Sequence, residues 1–333
     1  MGRLRALATV IAAAFALSAC STMDMDVRHL EPIPAKLQSQ MSALKMTQTD
    51  PIMVRIYKQE SELEIWKRDR TGRYALLKTY PMCRWSGKLG PKTREGDRQA
   101  PEGFYSVTPR LMNPQSDYYL AFNLGFPNPL EAALGYEGSA LMVHGACSSS
   151  GCYALTDDGV AEIYAVAREA FGGGQRSFQV QALPFRMTPE NLAKHRGDRN
   201  LAFWRNLKEG ADHFDVAGQP PKVAYCGRRY VFNANPRDPD APFEPLAPCP
   251  EFEIDSAASE LVAAKQREDE AAVTALLEGG AVTMPSAYAD GGMHPTFRRV
   301  LATRGPEYLG RLTAGGVKVS RPEAALVDPF TVD

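Results

Sequence analysis

The chain has 333 residues, 44% of them hydrophobic, which is enough for one large or two small folded domains. Its 38 Lys and Arg nearly balance 39 Asp and Glu, for a net charge of −1. That balance argues against a nucleic-acid binder, which needs a basic footprint. No repeat or low-complexity tract stands out, and no run beyond the first twenty residues is long and apolar enough to cross a membrane.

Residues 1–20, MGRLRALATVIAAAFALSAC, read as a targeting segment. Arg3 and Arg5 form a basic start, and the apolar run from Ala6 to Leu17 is too short to span as a mature helix. Leu17-Ser18-Ala19-Cys20 is similar to the lipobox of bacterial lipoproteins. That likeness implies cleavage before Cys20, lipidation of its thiol, and a periplasmic protein held to a membrane by its N-terminal lipid. Ser21 resembles the residue after the cysteine in lipoproteins sent to the outer membrane. An ordinary signal peptide with a cysteine near its end is the alternative. Several acyl chains anchor firmly where one is marginal. Residues 21–50 are polar and read as an irregular tether.

From Pro51 the pattern is that of strands. Ile52, Val54 and Ile56 alternate with Met53 and Arg55, a second run holds Leu63, Ile65 and Trp66, and a third follows a turn at 69–72. Further short strands are expected at 103–107, 118–124, 140–143 and 177–183. Between the last two, Val160, Ile163, Ala167 and Phe171 share one face of a helix, with Thr156 as cap and Gly172-Gly173-Gly174 as stop. A mostly antiparallel sheet protein with one helix docked beside the site is therefore expected over 51–190. Residues 191–250 read as an extension with a helical piece and a short strand. Residues 251–333 read as a helical appendage without chemistry.

Of six cysteines, Cys20 is assigned to lipid. The remaining five are an odd number, so at least one thiol stays free. Cys226 and Cys249 flank a proline-rich loop and suit each other as partners. If Cys83 pairs with Cys147, Cys152 is left free. The segment His144-Gly-Ala-Cys-Ser-Ser-Ser-Gly-Cys-Tyr153 sets an imidazole eight positions before that cysteine. A thiol attacks as thiolate, and an imidazole nearby can make it one. Gly151 permits a turn that aims backbone N–H groups at a reacting carbonyl.

These residues resemble the YkuD domain of L,D-transpeptidases, and more narrowly its YafK-type branch. The resemblance rests on SGKLGPKTREGDRQAPEGFYSV (86–107), NLGFPN (123–128), GYEG (135–138), HGACSSSGCYALTDDG (144–159) and PFRMT (184–188). It covers residues 50–235. It implies a mostly β fold with some α structure: a catalytic β-sandwich with one docked helix and a helical C-terminal extension. It also implies action on peptidoglycan stem peptides, with a wall-attached protein as a further partner. Carried over by position, Cys152 is the nucleophile and attacks the carbonyl at the L-centre of diaminopimelate. His144 is the base, and Gly151 belongs to the turn that builds an oxyanion hole from the N–H groups of Cys152 and Tyr153. Donors of that kind contribute about 3–4 kcal/mol each. No cofactor is implied.

Three departures from the main family pattern stand out. Ser150 replaces a histidine before Gly-Cys, Ala154 replaces an arginine two residues after the cysteine, and the gap between the two motifs is compressed. Lys92, Arg94 and Arg186 are candidate carboxylate binders, with Ser149 and Ser150 as further substrate contacts. Cys83 and Cys147, and Cys226 and Cys249, are the disulfide candidates. The scattered His195, His213 and His294 lack metal-ligand spacing, so no metal is expected. The rival reading is a peptidoglycan-binding lipoprotein that tethers outer membrane to wall, with a paired, inert Cys152.

Overall fold

The computed structural model describes residues 27–254, 256–283 and 292–311. The targeting segment and Cys20 lie outside the described residues. The fold is mixed α/β. In chain order the elements are α1 (Ala35–Ala43), β1 (Ile52–Tyr57), β2 (Glu62–Arg68), β3 (Tyr74–Pro81), β4 (Arg84–Trp85), β5 (Gly103–Val107), β6 (Met112–Asn113), β7 (Ala121–Asn123) and α2 (Pro129–Ala133). There follow β8 (Met142–His144), β9 (Tyr153–Ala154), α3 (Asp157–Gly172), β10 (Phe178–Leu183), α4 (Pro189–Lys194), α5 (Leu201–Ala217), β11 (Val223–Cys226) and β12 (Arg229–Phe232). The C-terminal part carries α6 (Ser256–Glu278), α7 (Pro295–Arg304) and α8 (Pro306–Gly310). Strands dominate from β1 to β10. Helices α4 to α8 make the described chain as a whole more helical than the expected mostly β fold.

One five-stranded sheet runs β3-β2-β1-β10-β5 and the other β4-β9-β8-β7-β6. They share a core, where Phe122 of β7 meets Phe178 of β10 edge to face at 5.5 Å. Helix α3 begins at Thr156, whose hydroxyl accepts the Gly159 N–H, and buries Val160, Ile163 and Ala167. β8 starts later than the sequence pattern suggests, because Ala140 has φ 54, a left-handed backbone that cannot continue a strand.

The segment expected to be an irregular tether is partly folded. Arg28–Leu30 form a 3-10 turn, and α1 buries Leu37 and Met41 in the main core. With only two apolar positions on its inner face, its polar composition hid it. The C-terminal part is also built into the molecule. Val273 of α6 joins the main core, and Lys208 of α5 reaches Asp269 of α6 at 2.5 Å. Met293 and Phe297 of the α7 segment and Leu309 of α8 close over Cys83 and Cys147. The Trp85 N–H donates to Gly292 O at 3.0 Å and the His294 N–H to Met82 O at 3.1 Å, so this segment also covers β4 at the sheet edge.

A buried ion pair ties the end of β1 to the loop between β4 and β5, and α5 joins it through Trp204. Lys58 and Glu102 are both fully enclosed, with Nζ 2.9 Å from Oε1. Lys58 also donates to the Gly90 and Ala100 carbonyls, and Trp204 Nε1 donates to Glu102 at 2.8 Å. Burying such a pair is tolerable only when its remaining bonding capacity is met, as it is here. No helix among the described residues is long and apolar enough to cross a membrane.

Candidate active site

The chain goes from β8 to its parallel neighbour β9 through residues 145–152 alone. Parallel neighbours usually need a longer crossover. The compression is met with left-handed backbone at Ala146 (φ 64) and Cys147 (φ 47), and with φ 138 at Gly151. Such conformations persist only where the surroundings over-determine them. Here they do. Cys147 is bonded to Cys83, and the Ala146 N–H donates to Asp157 Oδ1 at 2.8 Å. At Gly145 a β-carbon would stand 2.6 Å from that same carboxylate oxygen, so only glycine fits.

The same loop ends on the thiol of Cys152, and His144 stands before it at the end of β8. Disulfides join Cys83 to Cys147 and Cys226 to Cys249, and Cys152 is the free thiol among the described residues. The thiol is half-buried and bonds to the Ala140 carbonyl at 3.5 Å. Burial pushes it up from the usual thiol range, while the Met142 N–H and the Lys92 charge pull it down. His144 is 3% exposed and lies against the Tyr118 ring, centroids 4.6 Å apart. Its Nδ1 sits 2.6 Å from Gly145 O. A carbonyl only accepts, so Nδ1 holds the proton and Nε2 keeps its lone pair in the neutral ring. Burial holds the imidazole down to about 4, against a raising effect of the Gly145 bond. The resting pair is thus a neutral thiol and a neutral base.

Cys152, His144, Ser149, Ser150, Gly151 and Lys92 all line one cleft of about 370 Å³. The structure differs from the sequence expectation at several of them. Ser149 is buried beneath the loop, where its hydroxyl accepts the Cys152 N–H at 3.1 Å and donates to the Cys152 carbonyl at 2.7 Å. Tyr153 lies inside β9 between β4 and β8, with its side chain in the core and its hydroxyl donating to Pro101 O. The N–H groups expected to form an oxyanion hole are therefore engaged within the protein in this resting arrangement. The Lys92 ammonium is held by Asp97 at 2.5 Å and the Arg94 carbonyl at 2.7 Å. Arg94 is exposed and does not line the cleft. Arg186 is elsewhere altogether, clamped by Glu62 (2.5 Å) and Glu64 (2.7 Å) over the Tyr57 ring. Arg98, Asp117 and Tyr118 line the cleft without having been singled out. They sit on loops without periodicity, and their convergence depends on the fold. No group of residues suited to a metal ion is found among the described residues.

No family model matches the chain. Over 181 residues it is 45% identical to the Escherichia coli K12 protein named "Putative L,D-transpeptidase YafK", covering 54% of this chain and 73% of that one. The chain belongs to the YafK-type L,D-transpeptidase family. The protein of the same name from Escherichia coli O157:H7 matches equally. Among solved structures, the helical cell shape determining protein Pgp2 of Campylobacter jejuni aligns with TM-score 0.33 and 19% identity, over 57% of this chain and 67% of that one. Bdellovibrio bacteriovorus Bd1075 aligns with TM-score 0.30 and 17% identity, over 41% and 49%.

Proposed function

We propose that this family member is a peptidoglycan-modifying cysteine enzyme that forms an acyl-enzyme at the L-centre carbonyl of diaminopimelate. The observation that carries the reading is an unpaired thiol sharing a cleft with an imidazole whose Nε2 is a free base. The tethering alternative expected a paired Cys152, and this thiol is unpaired.

Because the resting pair is neutral, proton transfer accompanies attack. Cys152 Sγ bonds to the carbonyl carbon as its proton passes to His144 Nε2. The tetrahedral oxyanion collapses, the C–N bond breaks, and the leaving amine takes the proton from His144. The thioester is then attacked by an acceptor amine or by water, which gives its proton to His144. The thiol is restored when the C–S bond breaks. The Met142 N–H beside the sulfur favours its negative charge during the cycle.

In this reading residues 51–190 are the catalytic domain, with the two sheets as leaves of a sandwich and α3 docked on them. Residues 191–250 are a family extension and 251–333 an appendage. Residues 1–20 direct export, and lipid on Cys20 holds the enzyme to the periplasmic face of the outer membrane, in reach of stem peptides. Two disulfides suit such an oxidising compartment. Incubation with purified sacculi, followed by muropeptide analysis, tests the reading. New 3→3 dimers or exchanged terminal residues mark transfer, and release of a wall-attached protein without dimers marks hydrolysis. Activity that survives Cys152→Ala overturns the mechanism.

A further inference from the structure

We propose that Arg98 is the carboxylate anchor of the cleft, holding a free α-carboxylate of the substrate beside the carbonyl that Cys152 attacks; this rests on the function proposed above. The arginine that most of the wider family carries two residues after the cysteine is Ala154 here. Its side chain is fully buried against Cys83, Cys147 and Met293, which leaves that position no access to substrate. Lys92 is committed to Asp97, and Arg186 is outside the cleft. Arg98 is the one guanidinium lining the cleft among the described residues, and it makes no ion pair with any of them.

Its loop is built to present it. On one side, buried Asp97 accepts from Lys92 Nζ (2.5 Å), from the N–H groups of Thr93 and Arg94 (3.1 Å each) and from the Gln99 N–H (2.9 Å). On the other side, the buried Gln99 side chain accepts the Lys88 N–H at 2.8 Å and donates to Gly90 O at 2.7 Å. Between these two fixed points Arg98 is exposed and takes φ 53, a backbone that a β-carbon disfavours. A guanidinium matches a planar carboxylate through two parallel hydrogen bonds. Asp117 also lines the cleft and makes no ion pair with a described residue. An amino-acid head group bearing both carboxylate and ammonium complements the two charges, and the second centre of diaminopimelate is such a group.

The test uses two stem peptides that differ only in whether the second carboxylate of diaminopimelate is free or amidated. Their binding to full-length Cys152→Ala protein is read by calorimetry and their turnover by the otherwise unmodified enzyme. The expected result is a preference for the free carboxylate of about 10- to 100-fold, which Arg98→Ala abolishes mainly through KM and Arg98→Lys keeps in part. Arg98→Ala protein that still prefers the free carboxylate overturns the assignment, as does an unmodified protein that binds both peptides equally. If binding shows the Arg98-dependent preference but neither peptide is turned over, the anchor stands and the proposed reaction fails. Protein that binds neither peptide overturns both.

Discussion

The 144–153 loop and the Arg186 corner are both dense polar clusters, and both hold residues that the sequence marks as candidates for function. They differ in what is left over. At the corner, Arg186 meets Glu62 and Glu64, Trp66 Nε1 donates to Glu64 at 2.8 Å, and Asn191 ties Glu60 to the Arg186 carbonyl. Each charged group there is met by partners within the protein. In the cleft the backbone is over-determined, yet a thiol, an imidazole nitrogen and a guanidinium face open space. Chemistry needs groups held in place whose bonding capacity is not already used.

The largest effect that bears on this contrast is expected from loss of the Cys152 thiol, the proposed nucleophile. Cys152→Ala should remove turnover to background with no fall in Tm, and His144→Ala should slow it by about 10²–10⁴-fold. Normal turnover by Cys152→Ala protein erases the distinction between the two regions. Next comes the support beneath the loop. Joint Cys83→Ser and Cys147→Ser should cost about 2–5 kcal/mol in denaturant unfolding and slow alkylation or turnover at Cys152. Unchanged reactivity there means the loop does not depend on its staple.

Acid offers a test through His144. Its pKa is lowered from 6.5 to about 4 in the folded state by burial. Between those values the unfolded chain binds a proton that the native one does not, so stability rises with pH. It should fall on the order of 3 kcal/mol as pH drops from about 6.5 to about 4, with no further loss from this group below that. Comparing unfolding of the wild type with His144→Gln over that window isolates the contribution, and identical slopes refute it. A smaller effect is expected from Asp157→Ala, which removes the acceptor of the Ala146 N–H: about 1–2 kcal/mol of stability, with slower turnover. The smallest effect on activity belongs to Arg186→Ala. It should leave turnover within about twofold while costing about 1–3 kcal/mol, because Glu64 is 2% exposed and loses its cation. A large loss of turnover with the fold intact places Arg186 in the reaction after all.

The strand runs and α3 were legible because their apolar residues recur with strand and helix period, and Thr156 marks the helix start. Helix α1 was not, since a short polar helix with two buried residues leaves almost no periodic trace. Helix α6 was seen as a helix but not as part of the main core, because its amphipathic pattern is weak and its partners lie on α4 and α5. In the cleft, Cys152 and His144 could be read from a local motif. Arg98 and Asp117 could not, since they come from loops that meet only when both sheets are in place.

By itself the sequence determined which groups could react. The residue types, the odd number of thiols and the glycines of the 144–153 segment are local properties of the chain. Tertiary structure decided which of those groups remain free. Arg186 is neutralised by Glu62 and Glu64, Lys92 by Asp97, and the Ser149 hydroxyl is taken up by the backbone of Cys152. The reason is physical. Reactivity depends on what surrounds a group once water is removed, and the partners that set those surroundings lie many residues away along the chain.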